Sequence, residues 1–146
     1  MRLFYVLPTV FFMFFLVLLL LVLQNKINYA GTGADTSGWS AIHPMARTAV
    51  YGREGDFSAS FNSRIEDPIK ITSVNVSVSG EYPCVVEPDL AGVNVPAFGS
   101  FDLKATCPRK TGGETYSILI TIKYMPYDDN APDEVAEEGR IFGHTR

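Results

Sequence analysis

The sequence predicts a mainly β protein in which an N-terminal transmembrane α-helix leads into an antiparallel β-sandwich. Three observations predict this. Leu3 to Leu23 is a run of 21 residues without a charge. From Arg47 onward, apolar and polar side chains alternate with a period of two. Short clusters of Gly, Pro, Asp and Ser interrupt that alternation at regular intervals.

The apolar run comes first. At about 1.5 Å per residue it extends roughly 30 Å, the thickness of a bilayer's hydrocarbon core. Phe11 to Phe15 and Leu16 to Leu23 are bulkier and longer than the apolar part of a cleaved secretory signal. The best cleavage point follows Ala30, with Asn28 at the third position before it, a poor match. An uncleaved helix over 1–24 is therefore expected. Pro8 lies near its start, where a missing backbone donor costs little. The helix offers no Gly, Ala or Ser between Leu3 and Leu23, which suits contact with the lipid bilayer or loose packing against neighbouring apolar helices. Residues 25–46, with Gly31, Gly33, Asp35, Thr36, Ser37 and Gly38, read as a flexible stalk. Trp39, the only tryptophan, is expected to pack on the domain that follows.

Residues 47–146 supply the strands. The first lies near Thr48 to Tyr51. Phe57, Ala59 and Phe61 alternate with Ser58, Ser60 and Asn62. Ile69 and Ile71 lead into Val74, Val76 and Val78. A short strand follows near Cys84 to Val86. Phe101, Leu103, Ala105 and Cys107 share a face, as do Tyr116, Ile118, Ile120, Ile122 and Tyr124. A last strand carries Arg140 to Phe142. About seven strands with regularly spaced turns imply two packed sheets, the immunoglobulin-like arrangement. About 100 residues suffice for one core and not two.

Composition excludes some functions. Arg2 is the only charge before Gln24, so 11 basic residues face 16 acidic ones beyond it, a net of −5. Such a domain repels nucleic acid and anionic headgroups. His43 and His144 stand near opposite ends of the region after the apolar run, and no metal-ligand spacing, phosphate loop or nucleophile elbow occurs. No enzyme and no cofactor are expected.

Three features remain as candidate sites. Cys84 and Cys107, the only cysteines, read as a disulfide of an exported domain, with two buried thiols as the alternative. Asn75-Val76-Ser77 is the single N-x-Ser acceptor, and the alternation turns Asn75 away from Val74 and Val76. Asp128, Asp129, Asp133, Glu134, Glu137 and Glu138 form an acidic segment between the last two strands. It reads as a solvated loop, with calcium as the alternative ligand.

The phrases Gly55-Asp56-Phe57-Ser58 to Phe61, Asp67-Pro68-Ile69-Lys70-Ile71-Thr72-Ser73-Val74, Gly99-Ser100-Phe101-Asp102-Leu103, Thr115 to Tyr124, and Glu138-Gly139-Arg140-Ile141-Phe142-Gly143 stand behind an apolar helix. In style and order the chain resembles archaeal pilin-like proteins: type IV pilins, archaellins and membrane-anchored archaellum accessory proteins. The resemblance implies an immunoglobulin-like sandwich at the cell surface. It also implies a non-enzymatic role, as a pilin-like filament subunit or a membrane-anchored one, self-associating or bound to other envelope proteins. The expected placement is single-pass, N-terminus in or in a filament core, domain outside. A tethered ligand- or ion-binding module, or an accessory subunit of a larger membrane complex, is the alternative.

Overall fold

The computed structural model describes residues 13, 15–17, 19, 34–127 and 134–146. The chain divides into two units, Met1–Gly33 and Ala34–Arg146. In the first, Met13, Phe15, Leu16, Val17 and Leu19 are helical. Most of the expected Leu3–Leu23 span lies outside the described residues, and among the described residues no helix is long and apolar enough to cross a membrane.

The second unit is two antiparallel sheets. In chain order its strands are β1 (Asp35–Ser37), β2 (Ile42–Pro44), β3 (Val50–Tyr51), β4 (Asp56–Ser63), β5 (Ile69–Val78), β6 (Tyr82–Pro83), β7 (Val85–Val86), β8 (Asn94–Val95), β9 (Ser100–Thr106), β10 (Thr115–Pro126) and β11 (Val135–His144). One sheet runs β1-β11-β10-β5-β6, with β8 also on β5. The other runs β2-β4-β9-β7, with β3 also on β4. With β2 and β3 counted as one interrupted strand, the second sheet has the order A-B-E-D. Strands β5, β10 and β11 form the C-F-G sheet. This is the immunoglobulin arrangement.

The core follows from the alternation. Ile118, Ile120, Ile122 and Ile141 face Phe57, Phe61 and Leu103 across the interior, all fully buried. In β5 the apolar phase switches from Ile69 and Ile71 to Val76 and Val78. One extra residue must absorb the switch, because a one-residue slip turns every side chain over. Tyr124 pairs with Ile71 and Lys123 with Ser73, so Thr72 is that residue, a β-bulge.

The domain begins earlier than the stalk boundary read from the sequence. Residues 34–46 belong to it: β1 pairs with the end of β11 and β2 with the end of β4. Four short strands, β1, β2, β6 and β8, carried no alternation long enough to read. The last strand is also longer than the expected Arg140 to Phe142, so Glu137 and Glu138 lie in β11 and not in a loop. Between β2 and β3 a 3-10 turn, Ala46–Thr48, lifts the chain off β4. The Thr48 hydroxyl fills the gap in the ladder, accepting the Ser60 amide at 2.8 Å.

Candidate functional site

The first strand changes sheets between β1 and β2, and three residues, Glu137, Gly139 and Trp39, hold the crossing. Glu137 occupies an inward-facing position of β11 and is 7% exposed. Its carboxylate accepts the backbone amides of Ser40, Ala41 at 3.0 Å and Ile42 at 3.1 Å. Two residues on, Gly139 faces inward as well. A Cβ there would stand 2.2 Å from the Trp39 ring, so the absent side chain is what admits the indole. Trp39 meets Phe61 of the opposite sheet edge-on, with centroids 5.3 Å apart. Its indole N–H donates to the Arg140 carbonyl at 3.4 Å. One aromatic ring thus touches both sheets where the chain passes between them.

The cysteines form the expected disulfide, with Cα atoms 4.3 Å apart. Cys107 is buried, in phase with Phe101 and Leu103. The bond does not span the sandwich interior. Val85 pairs with Thr106, so Cys84 and Cys107 extend the β7–β9 ladder by one cross-strand step. It pins the two-residue edge strand β7 to β9. The Cys84 amide meanwhile donates to Val76 of β5 at 2.8 Å. Cys84 is therefore the hinge at which the chain leaves one sheet for the other. Gly55 closes the turn beneath, with φ +98°, and its carbonyl accepts the Cys107 amide at 2.7 Å.

The acidic segment divides in the structure. Asp128, Asp129 and Asp133 lie outside the described residues. Glu134 accepts the Thr72 hydroxyl at 2.5 Å and pairs with Lys123 at 3.4 Å. The Thr72 hydrogen bond, with the Lys123 charge behind it, lowers its pKa below the ordinary value. Glu138 accepts from Thr121 at 3.3 Å, and Glu137 serves the crossing. Among the described residues no cluster of three metal-ligating side chains occurs. His43 contacts the Ser40 carbonyl at 2.8 Å and His144 the Gly113 carbonyl at 3.3 Å, and the two do not meet. Burial raises the pKa of Tyr51, Tyr116 and Tyr124, which are core residues.

Asn75 is exposed on the outer face of β5, opposite Thr121. At the end of the sandwich where β4 passes to β5 and β8 to β9, exposed apolar side chains stand among the exposed Arg64, Glu66 and Asp67. Phe98 is 65% exposed, at φ 53°, with Tyr127 and Met125 also exposed. Pro68, Asn94, Val95, Pro96 and Tyr127 line an open cleft of about 440 Å³ there. The sequence reading missed this patch, because single exposed aromatics in turns carry no periodic signal.

Fold and site together define a disulfide-pinned immunoglobulin-like sandwich whose first strand is locked across both sheets. No protein-family model matches the chain, and no curated protein matches it. Among solved structures it is similar to a chain of the Salmonella enterica SafA pilin in complex with the SafB chaperone, at 16% identity and a TM-score of 0.48. The match covers 72% of this chain and 55% of that one, so this chain spans about half the length of the chain it matches.

Proposed function

We propose that this is a non-enzymatic structural protein of the cell envelope, in which the apolar segment Leu3–Leu23 sits in a bilayer or among similar helices and holds the sandwich outside the cell. The observation that carries the reading is the fastening of the first strand. Ala34 leads directly into β1, which is hydrogen-bonded along β11. The same segment is then gripped by Glu137 and Trp39 before joining β4 in the other sheet. A pull on the chain before Ala34 is distributed over both sheets, which suits a domain hung from its N-terminal end. The disulfide supports an oxidising, extracytoplasmic setting.

Filament subunit and membrane-resident subunit are two versions of this role. The pilin-like order of the sequence supports the first. The apolar run Leu3–Leu23, with no Gly, Ala or Ser, supports the second. The exposed Phe98, Tyr127 and Met125 favour contact with another protein in either case. Immunogold electron microscopy of whole cells with an antibody to the sandwich tests the role. Label on the cell surface or on filaments is expected. Label confined to the cell interior would overturn it, and label along regular fibres would select the filament version.

A further inference from the structure

We propose that Asn75 carries an N-linked oligosaccharide. The proposal rests on the extracytoplasmic placement above. In a strand, residues two apart face the same way, so Asn75 and Ser77, the two side chains an oligosaccharide transferase reads, both face outward from β5. Among the described residues neither side chain makes a hydrogen bond, so a sugar on Asn75 displaces no side-chain contact of the folded domain. The surroundings are small and polar: Ser73 and Ser77 along the strand, and Thr121 directly opposite on β10.

The other edge of β5 supplies the room. There β8 pairs with Ile69 and Lys70, and β6 with Ser77 and Val78. Gly92 and Val93 bond to Ile71, and Cys84 to Val76. Among the described residues, 72–75 have no ladder partner on that edge, so a sugar on Asn75 meets none of their cross-strand side chains there. It also screens a short open edge of the kind that natural sheets keep covered.

The reaction takes place on the extended chain before folding. The Asn75 Nδ2 attacks the anomeric carbon of an oligosaccharide carried on a polyprenyl diphosphate. The new N–C bond forms as the bond from that carbon to the diphosphate oxygen breaks. The polyprenyl diphosphate leaves with the electron pair, and the amide gives up one proton to solvent.

A non-reduced tryptic digest of the protein isolated from its own cells reads the site and its premise together. Cleavage after Lys70 and Lys104 leaves residues 71–104, which hold both Asn75 and Cys84, linked through the disulfide to residues 105–109. The expected product is this linked pair with added carbohydrate mass. Asn75→Gln and Ser77→Ala bring it to the bare polypeptide mass, and Ser77→Thr retains the sugar. A linked pair at bare mass in the natural protein overturns the modification and leaves the placement standing. Thiols free to alkylate, with no sugar, overturn the placement itself. Sugar persisting in Asn75→Gln overturns the site. In one detergent, Asn75→Gln is expected to elute as a larger oligomer than the natural chain. Equal elution overturns the screening role.

Discussion

The Glu137 carboxylate accepts the amide of Ile42 at 3.1 Å across 95 positions of sequence, joining the last strand of one sheet to the first strand of the other. The same group serves Ala41 and Ser40. The Ser40 and Ala41 amides lie between β1 and β2, and the Ile42 amide opens β2. Without the carboxylate they are left without partners at a partly buried lip, which is costly.

Glu137→Ala should therefore destabilise the domain by about 3 kcal/mol, the order expected when charge-assisted hydrogen bonds to buried donors are lost. Glu137→Gln should cost less, because one amide oxygen still accepts. Its NH2 group must nevertheless face one of the backbone donors. Urea unfolding followed by the fluorescence of Trp39, the single tryptophan, reads both effects. In Glu137→Ala the emission should also shift to the red before global unfolding, as the crossing loosens. An unchanged midpoint would show that water serves these amides equally well.

Gly139 and Trp39 should be coupled. Gly139→Ala puts a methyl group 2.2 Å from the indole, an overpacking that costs about 1–3 kcal/mol. Trp39→Ala removes a half-buried ring and costs about 2–3 kcal/mol. In the double variant the clash is gone, so its loss should fall short of the sum by about 1 kcal/mol or more. Circular dichroism melts of the four proteins give the cycle. Simple additivity would mean that the ring does not occupy the space above Gly139.

Removing the disulfide should act mainly on the unfolded chain. A loop of this size is worth about 3 kcal/mol in the chain-entropy account. For a domain of this length, that lowers the melting temperature by on the order of 10 °C or more. Cys84→Ala with Cys107→Ala should show this in calorimetry. It should also raise hydrogen exchange first in β7, whose two residues have little else to hold them than their pairing with Ala105 and Thr106.

Glu134 gives a pH dependence with a definite sign. Its folded pKa lies below the ordinary value of 4.5, chiefly because the Thr72 hydroxyl hydrogen-bonds to the ionised form. A lowered carboxyl pKa contributes stability that is present above the unfolded value and is lost as pH falls through the folded one. Glu134→Gln should thus melt slightly below the natural protein at neutral pH, and the gap should close only below pH 4.5. Thr72→Val should remove most of the gap. A gap that closes well above that pH would place the origin elsewhere.

Much of the fold was legible because its longest strands advertise themselves. The alternation in β4, β5, β9 and β10 placed them within a residue or two, and it put Cys107 in the core. Even the bulge left a trace, since Ile69 and Ile71 stand on odd positions while Val76 and Val78 stand on even ones. The last strand was read short because its inward positions before Ile141 are Glu137 and Gly139, which break an apolar pattern. Both are there for the crossing segment, and the period-two rule has no term for a partner nearly 100 positions away.

By itself the sequence determined the inner faces of the longer strands and that a disulfide, if formed, joins Cys84 to Cys107, since these follow from local period and from a count of two thiols. Tertiary structure decided where the domain begins, which acidic side chain is buried and what the lone tryptophan touches. Asp35–Ser37 and Ile42–Pro44 are too short and too polar to declare themselves strands. They become strands only because β11 and β4 present open edges, and because a carboxylate, a missing Cβ and an aromatic ring meet at the lip between the sheets.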